Sequence, residues 1–522
     1  MSSSSGQSTP RSWRRRAIDA TVAFAVGVGA VAGSYAAVGP TPGFVAAPVA
    51  TWVTARTPDA VVTWAILTLG SLGQSLGFVL ALALTVGGLA VVGGMASRLG
   101  RAAGGDRLPV VIAGGVAVLA ATLALTSAPL SALGAGLGAG LVLLAADWSA
   151  LVGTDDGTTP ERRGFLRVVA ATVAVAGGGA FVGSRARTGA TGDTSGAESG
   201  SMAGLTGDAV VDGLLGAASD RTLDLPDLDP LVSREFYQVD INSVDPDLSS
   251  DDWSLRVTGA VDEERAFGYD ELTSRPAEHR FVTLQCVGDA LNGKKIDTAL
   301  WTGVPIAELL PDLPDECCVM LRAADDYYEE FPMAALRNGF LAYRMNGRSL
   351  PRGHGHPVRA LIPGHWGEIN VKWLTEIEVL EEEVDGYWEE RGWHGTGPVN
   401  TVAKLHSVSA TDTGVRVGGH AYAGTRGIDR VAVSTDGGNS WAEATLSEPL
   451  PGAVDAATGD SLRETATDAW RMWSHEYAAT EPHEVVVRAV DGSGTVQTET
   501  EQRAFPRGAT GWVSQQVDPR RL

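Results

Sequence analysis

The sequence predicts a multi-domain chain with three architectures in series: N-terminal all-α transmembrane helices, an α+β domain, and a C-terminal all-β sandwich. Three observations lead to this reading. Apolar runs long enough to cross a bilayer recur between Ala17 and Gly183 and are nearly free of charge. Between 208 and 398, short alternating runs mix with turns and brief helical stretches, as in an α+β fold. From Asn400 to Phe505, strand-length alternating runs follow one another between turns, as in a sandwich of about 100 residues.

Composition narrows the function. The 522 residues suit about three domains. A net charge of −22 argues against nucleic acid as a partner. Acidic residues concentrate after Asp208, and lysine occurs only at Lys294, Lys295, Lys372 and Lys404. Such an acidic, lysine-poor surface resembles proteins that work in high-salt cytoplasm or brine, where salt screens the repulsion. The three cysteines, Cys286, Cys317 and Cys318, make no disulfide framework, and the adjacent pair reads as small core residues of a buried strand.

The polar tail 1–16 ends in Arg14, Arg15 and Arg16, and the membrane half then runs from 17 to 185. Spans are expected at Ala17–Val38, Gln74–Met95, Leu108–Leu125, Leu130–Ala146 and Val168–Gly183, with Thr57–Leu69 at the interface or opening the next helix. Arginines gather at alternate ends, at 14–16, at 98, 101 and 107, and at 162 and 163. The positive-inside rule therefore places the N-terminus in the cytoplasm and everything beyond Arg185 outside it. The string ERRGFLRVVAATVAVAGGG resembles a twin-arginine export signal. Ordinary positive-inside arginines are the alternative. All nine histidines lie at His279 or later, so no bis-histidine haem is expected in the spans. The spans read as an anchor in membrane lipid. Residues 186–207, rich in Gly, Ser, Thr and Ala, form a flexible linker.

Within the α+β domain, assigned to 208–398, helices are expected at Tyr269–Thr273 and Pro305–Leu310, and a strand ends in Cys286. His354, His356, Arg359, His365 and Lys372 fall within nineteen residues among Gly and Pro turns. Arginine forks and turn backbones at Gly353, Gly355 and Gly364 suit an anion. A solvated basic loop between edge strands is the plain alternative. Cys286 alone reads equally as an inert buried thiol or as one soft ligand to a metal that brings its own further donors. His365, Trp366 and Glu368 fit either a structural turn or the wall of a funnel.

The string AYRMNGRSLPRGHGHPVRALIPG, followed by VKWL, resembles the molybdopterin-binding core of the sulfite oxidase family. Upstream, FVTLQCVGDALNGKKIDTALWTGVPIAELL resembles that family's segment carrying the molybdenum-ligating cysteine. Downstream, IDRVAVSTDGGNSW, DAWRMWSHEY and VVVRAVDGSGTVQTE resemble its immunoglobulin-like dimerisation domain, assigned to 399–505, with 506–522 as a tail. The resemblance covers roughly residues 225–505. It implies molybdenum on Cys286 and a pterin held by His354, Arg359, Lys372 and Gly364, with Trp393 and His365 beside Cys286 as catalytic candidates.

The departures bear on substrate. CVGDAL puts Leu291, and FYQVDIN puts Val239, where the family carries substrate-binding arginines; Trp393 stands at a tyrosine position. The resemblance implies an oxidoreductase moving oxygen between molybdenum and a small sulfur-type substrate, with S-oxide or methionine sulfoxide reduction as the alternative. No haem or flavin is expected in this chain, so electrons would pass through a separate carrier or a haem or quinone protein. The rival from another class is a non-catalytic cofactor-binding or assembly protein. A homodimer is implied by the C-terminal domain.

Overall fold

The computed structural model describes residues 10–69, 71–102, 107–151, 172–174, 177–178, 206–310 and 317–522. They form two compact units. One holds the described residues up to 178 together with 240–247; the other holds 206–239 and the described residues from 248 onward.

The first unit is helical: α1 (Pro10–Val38), α2 (Ala47–Arg56), α3 (Asp59–Leu69), α4 (Ser71–Ala102), α5 (Arg107–Thr126) and α6 (Pro129–Leu151). Among the described residues, four stretches are long and apolar enough to cross a membrane: Asp19–Val38, Ser75–Ala102, Leu108–Thr126 and Pro129–Ala146. Their outward faces carry exposed Leu76, Leu80, Ile112 and Leu137, which water would not favour. Helices α1 and α6 touch through glycine. A Cβ on Gly33 or Gly29 would strike the carbonyl of Gly134 or Gly138, so the backbones approach as small-residue membrane interfaces do. A buried hydrogen bond between Ser34 Oγ and Ser131 Oγ, 2.8 Å, joins the same helices. The expected fifth span lies outside the described residues except at 172–174 and 177–178, which are helical; Arg162, Arg163 and most of the linker also lie outside them.

The second unit opens with the helix Ala209–Arg221, whose first turn is capped by the Asp208 carboxylate accepting from Val210 and Val211 N–H. Ten strands follow: β1 (Ser254–Gly259), β2 (Arg265–Gly268), β3 (Glu278–Gln285), β4 (Ile296–Pro305), β5 (Cys318–Ala323), β6 (Tyr328–Pro332), β7 (Phe340–Met345), β8 (Arg348–Ser349), β9 (Arg359–Leu361) and β10 (Leu374–Leu380). One sheet runs β2-β1-β10-β5-β6; in the other, β3-β4-β7-β8 are neighbours and β9 pairs with β7. Leu255, Leu321, Phe331, Leu341 and Ile377 fill the core formed with these strands. The expected short helices appear at Tyr269–Thr273 and Ile306–Leu309. β4, buried in all but its last residue, is the central strand between β3, which leads into Cys286, and β7, which pairs with the Arg359-bearing β9.

The C-terminal region is sheet-rich. It contains β11 (Val402–Ala403), β12 (Ser407–Thr411), β13 (Gly414–Tyr422), β14 (Ile428–Ser434), β15 (Ala442–Glu443), β16 (Thr445–Leu446), β17 (Val454–Asp455), β18 (Arg471–Tyr477), β19 (His483–Asp491) and β20 (Val513–Val517). Two sheets, β11-β13-β18-β16 with β12 on β13 and β15-β14-β19-β20, share a core of Val417, Val431, Trp473 and Val487.

The short strand β17 lies on the edge of β3, Val454 opposite His279. Two expectations are corrected. Residues 506–522 are not merely a tail, because β20 pairs with β19 through its whole length. Cys317 is exposed rather than a core residue and is disulfide-bonded to Cys318, which alone is buried.

Candidate active site

Strand β3 ends at Gln285, and Cys286 begins a turn that closes on itself. Cys286 N–H donates to the Lys295 carbonyl and Asp289 N–H to the Cys286 carbonyl, both 3.0 Å. Cys286 is half-buried in this turn. Burial pushes the thiol up to about 11, opposed by the Lys295 charge and a hydrogen bond from the Gly288 backbone. Without a cation beside it the sulfur is a neutral thiol. A metal must supply the charge that makes it a thiolate ligand.

Two buried polar atoms close to this point have no protein partner: Gln285 Oε1 and Trp393 Nε1. A Cβ on Gly288 would lie 3.5 Å from the Trp393 ring and 3.7 Å from the Cys286 sulfur. Trp393 and Cys286 thus flank the same glycine. Phe505 packs edge-on against Trp393, centroids 5.1 Å apart.

Of the cationic stretch, His354, Arg359 and Lys372 come together. Arg359 opens β9, buried, with its guanidinium donating to the carbonyls of His354 (3.2 Å) and Asn370 (2.9 Å). Lys372 Nζ donates to the Gly353 carbonyl at 3.0 Å. Gly355, at φ +105°, lies so close that a Cβ would sit 3.0 Å from Arg359 Cβ and 3.1 Å from Lys372 Cα. Only glycine allows that approach. Burial, with Arg359 and Lys372 nearby, pushes His354 down to about 3. The imidazole is therefore neutral and serves as a hydrogen-bonding group. Two cations beside a neutral imidazole make a cradle that suits an anion.

Phe236 and Tyr237 join the two parts, and sequence reasoning missed them. Phe236 meets His354 edge-on at 5.5 Å and Trp301 at the same separation. Tyr237 reaches the other way: a Cβ on Gly367 would lie 2.8 Å from its hydroxyl and 3.8 Å from Cys286 Cα. Tyr237 N–H donates to the Asp297 carboxylate at 2.7 Å, which fixes the dipeptide on β4. Burial holds the Tyr237 phenol well above its ordinary value, with the Cys286 and Arg359 charges acting in opposite directions. Its hydroxyl is a permanent donor between cradle and thiol.

The remaining candidates fall elsewhere. Gly364, at φ +79°, abuts Thr425 and Gly424 of the C-terminal region, and its carbonyl accepts from Val399 N–H. His365 has its Nδ1 3.0 Å from the Pro363 carbonyl and bridges to Pro398; burial pushes its imidazole down. Both stand at the seam between the domains, and no contact joins them to the His354 cradle among the described residues. Leu291 packs against the C-terminal core, and Val239 is exposed.

A second feature was only partly foreseen. Glu368, Glu329 and Glu389 bring carboxylate oxygens within 4.8 Å of one another. Burial, then Glu389, pushes Glu368 up to about 9, and burial with Glu389 raises Glu329 strongly. Tyr327 donates to Glu329 at 2.8 Å and to the Glu368 carbonyl at 2.8 Å. The contributing residues are spread over 60 positions of the chain, so no local pattern announces them.

The donor set fits a molybdopterin. It offers one soft sulfur, a tyrosine hydroxyl near its turn, and a cationic cradle for an anionic tail.

Comparison with known proteins agrees. Residues 242–388 match the oxidoreductase molybdopterin binding domain, and residues 398–509 match the Mo-co oxidoreductase dimerisation domain. The chain is 29% identical over 310 residues to the mitochondrial sulfite oxidase of Rattus norvegicus, covering 49% of this chain and 55% of that protein. It is 26% identical over 305 residues to the sulfite oxidase of Arabidopsis thaliana, covering 47% of this chain and 77% of that protein. It is also 26% identical over 323 residues to the NADH nitrate reductase of Spinacia oleracea, covering 49% of this chain and 34% of that one. The chain thus spans about half the length of the mammalian relatives it matches. With both domains present in order, and with a thiol and an anion cradle built into the first, the chain belongs to the sulfite oxidase family of molybdenum-dependent oxidoreductases.

Proposed function

We propose that the protein is a membrane-anchored oxidoreductase whose catalytic domain lies outside the cytoplasm and acts on a small sulfur-centred substrate. The observation that carries the reading is Cys286, one partly accessible thiol at the end of β3, facing the Trp393 ring across Gly288. Cys286 holds molybdenum; His354, Arg359 and Lys372 hold the anionic end of the pterin. The bound molybdenum supplies two-electron oxygen-atom transfer. The residues around it bind and orient. The Tyr237 hydroxyl stands close to the ligand's turn across Gly367, and the Trp393 ring, backed by Phe505, walls the other side across Gly288 and keeps water from it. The membrane reading is supported by the four apolar helices, and the orientation by the placement of arginines along the sequence. The C-terminal sandwich, immunoglobulin-like by sequence resemblance, mediates a homodimer, and electrons pass to or from a separate carrier.

Reduction of an S-oxide is favoured over sulfite oxidation by one feature. Sulfite is a dianion whose desolvation calls for cationic donors. The positions that would supply them hold Leu291 and Val239, and Trp393 offers a neutral N–H. A sulfoxide oxygen needs only such neutral donors.

The test is molybdenum and pterin content of the full chain in detergent, with turnover of sulfite and of methionine sulfoxide measured on the same sample using artificial electron acceptors and donors. We expect about one molybdenum per chain, as one thiolate site dictates, and faster turnover of the sulfoxide. Folded protein that acquires no molybdenum in a host that makes the cofactor would leave a binding or assembly role. Faster sulfite turnover would reverse the direction.

The cradle has its own check. Arg359→Leu removes charge-assisted hydrogen bonds of about 1.5–3 kcal/mol each, so retention of pterin after gel filtration should fall roughly 10-fold or more. Unchanged pterin content would remove Arg359 from the site.

A further inference from the structure

The turn that carries Cys286 is gripped from behind by the C-terminal domain. Lys404 Nζ lies 2.6 Å from Asp289 Oδ2 and donates also to the Ala290 and Leu291 carbonyls, both at 3.3 Å. Asn292 Nδ2 donates to the Leu405 carbonyl, and Leu405 N–H donates back to Asn292 Oδ1, each 2.8 Å. His406 Nε2 lies 3.1 Å from the Asn292 carbonyl. Every residue from Asp289 to Asn292 is therefore bonded to the segment Lys404–Leu405–His406.

The grip is rigid on both sides. Lys404 is held by its own backbone: its N–H donates to the His420 carbonyl at 2.8 Å, and its carbonyl accepts from Trp473 Nε1 at 3.1 Å. On the turn, Asp289 Oδ1 accepts from Lys295 N–H at 3.1 Å, and Lys295 is the residue whose carbonyl receives Cys286 N–H. The ammonium and the carboxylate are both buried, at 0% and 2% side-chain exposure. Such a pair resists separation because either charge alone would be stranded in a low dielectric. The turn cannot slide without breaking it.

We propose that Lys404 is a positioning residue for the metal ligand, fixing through Asp289 and Asn292 where the Cys286 sulfur sits. The C-terminal domain then belongs to the metal site. The proposal rests on Cys286 being the molybdenum ligand.

The test uses the full chain in detergent. In cofactor-free protein, alkylation of Cys286 by iodoacetamide is followed by mass spectrometry. In loaded protein, the molybdenum(V) electron paramagnetic resonance spectrum is recorded. The variants are Lys404→Met and Asn292→Ala, the second leaving the ion pair intact. Arg426→Gln is the control. It breaks a 2.9 Å ion pair to Asp491 within the C-terminal domain and touches none of the turn's bonds. Losing a hydrogen bond or two from the turn should raise local opening, and so alkylation, about tenfold. Asn292→Ala and Lys404→Met should show this, together with shifted g values; Arg426→Gln should show neither even if its melting temperature falls. Should Lys404→Met fail to fold, Asn292→Ala decides. A folded Asn292→Ala with wild-type alkylation and wild-type spectrum overturns the proposal while the metal assignment stands. Folded wild-type chain without molybdenum overturns both.

Discussion

Cys286→Ser should abolish turnover while leaving the fold almost untouched. Burial raises the wild-type thiol to about 11, so at neutral pH the cofactor-free protein already holds an uncharged group there. Serine is an uncharged group of nearly the same shape. The stability change should stay within about 1 kcal/mol, because no charge and no ion pair is lost. The chemistry differs completely. On binding a metal, the thiol beside Lys295 would release its proton to solvent and present a thiolate, the soft donor that a high-valent molybdenum accepts. A serine hydroxyl is far less acidic and is a hard donor. Altering groups merely adjacent to a metal ligand costs 10–100-fold, so replacing the ligand itself should cost more than about 100-fold in turnover. The sulfur-to-metal absorption bands should change in the same sample. A serine variant with wild-type turnover would show that Cys286 is not the ligand.

What could be read in the sequence, and what could not, divides along the distance between contacting residues. The His354, Arg359 and Lys372 cradle was visible because its members share one 19-residue stretch with a glycine where a backbone must pass close. The strands β3 and β4 around Cys286 were visible from alternation and turn residues. Phe236 and Tyr237 were not, although FYQVDIN had been singled out for Val239. Their importance comes from Gly367 and His354, more than 100 residues downstream. Lys404 was one of four lysines and carried no local pattern. Only the fold shows it paired with Asp289, 115 residues earlier. Strand β20 was missed because VSQQV alternates weakly and owes its existence to the waiting edge of β19. Gly364, read as part of the anion cradle, has its positive φ for a different purpose: the close approach of Thr425.

The carboxyl cluster beneath the site yields the other large effect, and it turns on sign. Glu368 has its folded pKa raised from 4.5 to about 9, first by burial and then by Glu389. Between those values the folded protein holds a proton that the unfolded chain has released. Stability is therefore greatest below about pH 4.5 as far as this group is concerned, falls by about 1.4 kcal/mol per pH unit as pH rises, and levels off above about 9. At pH 7 the accumulated cost is about 3 kcal/mol. Glu368→Gln removes the titration and keeps the shape. The variant should match the wild type near pH 4.5 and exceed it by up to about 3 kcal/mol at pH 7, measured by denaturation of the full chain at a series of pH values. A variant less stable than wild type at pH 7 would mean that Glu368 is ionised and compensated by a bound cation, and added divalent ions would then raise the wild-type melting temperature. The neutral form also serves the site. Glu368 lies against Gly395 and, through it, against Val287, the residue after the ligand. An ionised Glu368 would act against a thiolate at Cys286. Holding a proton on Glu368 spares the Cys286 thiolate that repulsion.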